Sequence, residues 1–129
     1  MKDDTPDETR TRRIRTLNDE LRRYPLGSAL GQLVITQPVV AYLQSDPDLI
    51  PKDWLARRLF LLRALADFDD FDGAGDPYQE HDFGIFTVWN RQFFFKIDYY
   101  GKAYARGSPD PADPAVTRRV LTIGFPEDY

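Results

Sequence analysis

His81, the chain's single histidine, sits in the most aromatic stretch of the sequence (residues 76–100, DPYQEHDFGIFTVWNRQFFFKIDYY) with Asp76, Glu80, Lys96, Asp98 and Tyr100. Histidine can take up and return a proton near neutral pH, and a carboxylate at one ring nitrogen sets its tautomer. On that chemistry His81 is a general base or metal ligand and Asp98 its orienter. Asp76 and Glu80 are further oxygen ligands, Lys96 a cation beside developing charge, and Tyr100 a neighbouring hydroxyl. Neither the spacing nor the number of these residues matches a named metal motif. A structural alternative also accounts for them: Lys96 and Asp98 satisfy each other on a sheet surface, while His81 and Tyr100 tie a loop to a strand.

The stretch 67–82 holds seven carboxylates and neither Lys nor Arg. Asp70, Asp72, Gly73 and Asp76 faintly resemble a calcium loop, but that alignment puts Phe68 and Gln79 at ligand positions, so no calcium site is expected. Charge is unevenly spread. Residues 1–63 carry eleven Lys/Arg against nine Asp/Glu, whereas residues 64–129 carry six against twelve. An acidic C-terminal half argues against direct binding to a phosphate backbone and suits docking on a basic protein surface. The candidate partner-binding residues are therefore Asp67, Asp69, Asp70, Asp72, Asp76 and Glu80. The lack of cysteine excludes disulfides, a thiolate nucleophile and a Cys-based zinc site. Neither a signal peptide nor the ~20-residue apolar run of a membrane helix is visible, so a cytoplasmic protein that avoids membranes is expected.

The elements that must position these residues are legible from periodicity. The 129 residues suffice for one α+β domain with one core, residues 1–4 forming a frayed tail. Thr5-Pro6-Asp7-Glu8 carries a capping-box start, and Ile14, Leu17, Leu21 and Tyr24 share a face, predicting a helix over 6–23 with its arginines in solvent. A strand over 33–36 and a helical turn over 38–43 follow. A second helix over 51–66 is predicted to bury a stripe of Leu55, Leu59, Leu62 and Ala66 that Trp54, Leu61 and Leu65 widen. Runs 82–89 and 92–100 read as a hairpin turning at Asn90-Arg91, with Val88 facing Phe93 and Gly84 facing Ile97. That register sets an apolar core face against an outer face holding Trp89, Phe94, Lys96, Asp98, His81 and Tyr100. Prolines at 109, 111 and 114 make an irregular loop before a last strand over 117–125. The expected fold is α+β: two main helices on one face of a small, mostly antiparallel sheet centred on the hairpin.

Three segments, DPYQEHDFG at 76–84, KIDYY at 96–100 and GSPDPADP at 107–114, resemble a bacterial domain-of-unknown-function family, the one numbered three-seven-six-eight. Residues 15–19 and 119–123 look similar to it too, so the likeness runs from about Ile14 onward. The family brings no established activity. Its members are similar to proteins carried on plasmids and mobile elements beside anti-restriction genes, which implies an anti-defence role by association. Trp89-Asn90-Arg91-Gln92 replaces a Gly-containing turn of the family, and Gly101 an acidic residue.

Two functional expectations follow. The first is a non-enzymatic acidic binding protein, without cofactor, that inhibits a nucleic-acid-handling defence complex of the anti-CRISPR or anti-restriction type. The alternative is a small metal-dependent hydrolase or nuclease with Asp76, Glu80, His81 and Asp98 as ligands. The chain is expected as a monomer, or as a homodimer through exposed Trp89 and Phe94.

Overall fold

The computed structural model describes residues 5–72 and 75–129; the expected tail, and Gly73 of the calcium-loop comparison, lie outside the described residues. Helix α1 (Pro6–Arg23) starts where its cap predicts, Thr5 Oγ1 accepting from the Glu8 amide at 3.1 Å. Ile14, Leu17 and Leu21 are buried, while Tyr24 lies past the helix end and is 72% exposed. Arg22 departs from the expected solvent stripe: its guanidinium is buried and donates to the carbonyls of Leu65, Ala66 and Phe68 at 3.0, 3.0 and 2.7 Å.

Those carbonyls end helix α3 (Trp54–Asp67), which would otherwise leave its last C=O groups unpaired. Arg57 does the same for α2 (Gln37–Ser45), donating to Leu43 O at 2.8 Å and also to Leu49 O and Pro51 O. This fixes the rotation of α3. With Arg57 turned inward, Leu61 and Leu65, expected at the margin of the stripe, enter the core with Leu62, while Leu55 and Leu59, expected at its middle, are each 59% exposed. Of the predicted inward set Leu61, Leu62 and Leu65 are buried, and Trp54 and Ala66 half-buried.

The sheet comprises β1 (Gly31–Ile35), β2 (Phe83–Val88), β3 (Arg91–Tyr100) and β4 (Arg118–Gly124), in the order β1-β4-β3-β2. It is antiparallel except for the parallel pair β1–β4, so the fold is α+β as expected. Phe86, Val88, Phe93, Phe95, Ile97, Leu121 and Ile123 form the core face, met by Leu21 of α1, Val39 and Leu43 of α2, and Leu61 and Leu65 of α3. The hairpin lies at one side of the sheet rather than at its centre, with β2 an edge strand.

Its turn is also shifted by one residue. Trp89 and Asn90, both with positive φ (54° and 58°), form the loop, and Val88 pairs with Arg91, Phe86 with Phe93 and Gly84 with Phe95. The cause is tertiary: the Trp89 indole donates to Ile50 O at 2.7 Å and packs against Tyr42, Phe60 and Phe93. A two-residue slip preserves side-chain parity, so the predicted core face survives. Phe94, expected outside, is buried under Tyr129 and beside Phe83, and Trp89 is half-buried, which removes both from a dimer face.

Candidate functional site

The loop between α3 and β2 folds back onto α1. Gln79 and His81 both take φ of 58°, a conformation costly for residues with side chains, and this turns His81 toward the helix rather than along the sheet. His81 Nδ1 lies 2.8 Å from Asp19 Oδ1, the same oxygen that accepts from Arg22 Nη2 at 3.0 Å. An ionised carboxylate only accepts, so Nδ1 carries the proton and the ring tautomer is set. Asp76, buried, receives the His81 amide on Oδ1 at 3.1 Å and holds Oδ2 3.9 Å from Nε2. Phe71 covers the imidazole in a parallel stack with centroids 3.7 Å apart. The remaining side opens into a cleft of about 250 Å³ lined by Arg15, Phe71, Asp72, Asp76, Gln79 and His81. This is an imidazole oriented at Nδ1 by Asp19, with Nε2 beside Asp76 at the wall of the cleft, and an imidazole held in this way is a candidate general base.

Beside it lies a buried polar network that joins α1 to the sheet. Asn18 donates to Glu80 O at 3.0 Å and to the Tyr99 hydroxyl at 2.7 Å; that hydroxyl donates to Glu80 Oε1 at 2.7 Å. Arg119, fully buried, donates to Asn18 Oδ1 and to Pro111 O, each at 2.6 Å, and its guanidinium lies over the Tyr99 ring. Burial, then the bond to Glu80, pushes the Tyr99 hydroxyl well above its ordinary range, and burial lowers the Arg119 guanidinium. Burial and the neighbouring Glu80 charge also raise the Asp82 carboxyl.

The structure thus separates the residues expected to form one site. His81 and Asp76 meet, but the orienter is Asp19; Asp98 pairs with Lys96 at 3.1 Å and lines another hollow with Asp82 and Tyr129. Tyr100 packs near Tyr104, and its neighbour Tyr99 turns to Glu80. The cause is the strand period: His81 leaves the sheet on the helix side, whereas Lys96 and Asp98 point to the other face. Among the described residues no three His, Cys, Asp or Glu side chains converge as a metal site. Of the candidate docking acids, Asp67, Asp69, Asp70 and Asp72 are exposed, while Asp76 is buried and Glu80 half-buried in the network.

Asn18, Asp19, Arg22, Phe71, Tyr99 and Arg119 all belong to this region and escaped the sequence reading. The one available signal was an Asn and an Arg at helix positions flanked by Leu17 and Leu21, where the apolar stripe is buried. Neither a search of curated proteins nor one of solved structures found a match. The family match begins at Ile35, so the likeness noted at residues 15–19 is not part of it, and α1 brings Asn18 and Asp19 to the site from outside the matched range. Within that range lie α2, α3, the acidic run, His81 and the three strands β2 to β4, and on this match to residues 35–128 the chain belongs to the family described as protein of unknown function DUF3768.

Proposed function

We propose that the protein is a non-enzymatic binding protein that docks on the basic, nucleic-acid-binding surface of another protein and keeps the nucleic acid away from it. The observation that supports this is the outward placement of Asp67, Asp69, Asp70 and Asp72 in and after the last turn of α3, where Arg63 pairs with Asp67. Such a one-sign ridge steers association with a positively charged groove. The likeness to proteins of mobile elements that travel with anti-restriction genes makes a defence complex of the restriction or CRISPR kind the partner class. The test is capture of partners from a bacterial lysate at low and moderate salt, with wild type and with Asp69→Lys/Asp70→Lys/Asp72→Lys. A stoichiometric nucleic-acid-handling partner, released by salt and lost in the charge-reversed but folded variant, is expected. Equal capture by both proteins would remove the ridge from the interaction.

A second reading rests on the oriented imidazole: a small hydrolase in which His81 accepts a proton, held by Asp19. It differs from the expected metal site, because Asp98 and Glu80 are engaged elsewhere. Phosphodiester and ester turnover, with and without millimolar divalent cations, compared between wild type and His81→Ala, decides it. Identical background rates in all four samples would dismiss the reading.

A further inference from the structure

Strand β2 ends the sheet on one side, and its backbone is only half used. Val88 faces Arg91 across the two-residue turn, and the Ile97 amide donates to Asp82 O at 2.8 Å, which makes residues 82, 84, 86 and 88 the ones bonded to β3. The N–H and C=O groups of Phe83, Ile85 and Thr87 therefore point away from the sheet, and no backbone hydrogen bond from another described segment reaches them. Natural edge strands are blunted against further pairing by a lysine, a proline or a bulge. β2, with the sequence FGIFTV and an unbroken register, has none of these, and Ile85 is 45% exposed.

A groove of about 490 Å³ lies beside this edge. Phe68 and Phe71 line it on the helix side, where the Phe68 ring lies against Gly84, and Phe83 and Ile85 line it on the outer side. Asp70 and Asp72 add two exposed carboxylates, and no Lys or Arg stands among the described residues that line it.

We infer that this edge takes up an extended segment of another protein as a further strand of the sheet, one in which Lys or Arg alternates with Val, Ile or Thr. The inference rests on the docking reading above for the sign of the partner's charge, and it adds the means of attachment. Side chains of an added strand alternate between the two faces. Those on the helix side meet two aromatic rings and two carboxylates, a setting for a long aliphatic stem with a cationic end. Those on the outer side lie beside Phe83 and Ile85, which suits β-branched residues. Main-chain bonds supply the affinity of such an addition and alternate side chains its specificity. The β2 strand of a second copy is a poorer occupant, since FGIFTV brings no cation to Asp70 and Asp72.

The probe is a fluorescein-labelled TKVKVKT peptide with an amidated end, its binding to the full chain followed by fluorescence anisotropy. Two further peptides carry N-methyl groups, one on its two valine amides and one on two of its lysine amides. One of these is expected to bind about tenfold more weakly than the parent and the other to bind like it, because only one alternate set of amides faces β2. Loss with the valine set identifies antiparallel addition, and loss with the lysine set parallel addition. Ile85→Pro removes an outward N–H without touching a ladder bond. With circular dichroism unchanged, it is expected to weaken the parent peptide about tenfold, whereas Ile85→Val stays within about twofold of wild type. Asp70→Lys/Asp72→Lys is expected to weaken it as well. Methylated peptides that behave alike overturn the inference; if the parent is then lost only with the two aspartates, the ridge docks by charge alone. A parent peptide that fails to bind also overturns it, while the lysate capture judges the ridge separately. So does a doubled sedimentation mass that Ile85→Pro abolishes, since a second copy then occupies the edge.

Discussion

Arg119 is the most consequential single side chain between α1 and the sheet. It is fully buried, and its donors hold Asn18 and the 108–114 loop through Pro111 O. Arg119→Met keeps much of the volume but strands both acceptors, so urea unfolding is expected to show a loss of about 2–4 kcal/mol. Tyr99→Phe removes one hydroxyl from the same network and is expected to cost about 1–2 kcal/mol. Asp82 provides a pH signature. Its folded carboxyl holds the proton above the ordinary value of 3.8, so the folded state binds that proton more tightly than the unfolded chain. The contribution of Asp82 to stability is therefore complete below the unfolded value and is lost as pH rises through the raised one. Asp82→Asn is expected to melt with wild type near pH 3 and above it at pH 7; a variant that melts lower at pH 7 would contradict the assignment.

At the scale of the element, α3 carries the clearest lesson. Amphipathic counting put Leu55, Leu59, Leu62 and Ala66 in the inward stripe and Trp54, Leu61 and Leu65 at its margin because leucine is apolar wherever it stands, and counting cannot tell which part of a broad apolar surface a helix turns inward. The rotation was decided by Arg57, whose guanidinium satisfies carbonyls on α2 and the following loop. Arg57→Met should therefore destabilise by about 2–4 kcal/mol although the substitution is apolar and the site buried. Leu61→Ala should cost about 2–5 kcal/mol by opening a cavity against the sheet. Denaturant midpoints of both variants check the rotation. The hairpin shows the complementary case. Side-chain parity was legible from alternation, while the turn position was not, since Trp89 accepts a left-handed backbone in exchange for an indole bond and three aromatic neighbours. On the core face Gly84 lets the rings of Phe68 and Phe95 come together, and a Cβ there would lie 2.6 Å from each.

For the whole molecule, the exterior carries an acidic ridge, Asp67, Asp69, Asp70 and Asp72, that extends from one end of α3, along which Leu55 and Leu59 stand exposed. The sequence by itself determined the α+β class, the extent of α1 to the residue, the core face of the hairpin, the acidity of the second half and the family likeness. Each of these follows from local signals: caps, period-two alternation, composition and contiguous motifs. Among the described residues no helix is long and apolar enough to cross a membrane. Only the tertiary structure decided that Asp19 rather than Asp98 faces His81, that Arg22, Arg57 and Arg119 are internal, and that Leu55 and Leu59 remain outside. The physical reason is shared. An inward guanidinium or imidazole is placed by oxygens outside its own element, 62 residues away for His81 and Asp19 and 101 for Arg119 and Asn18 but within 14 for Arg57, and periodicity carries no record of such partners.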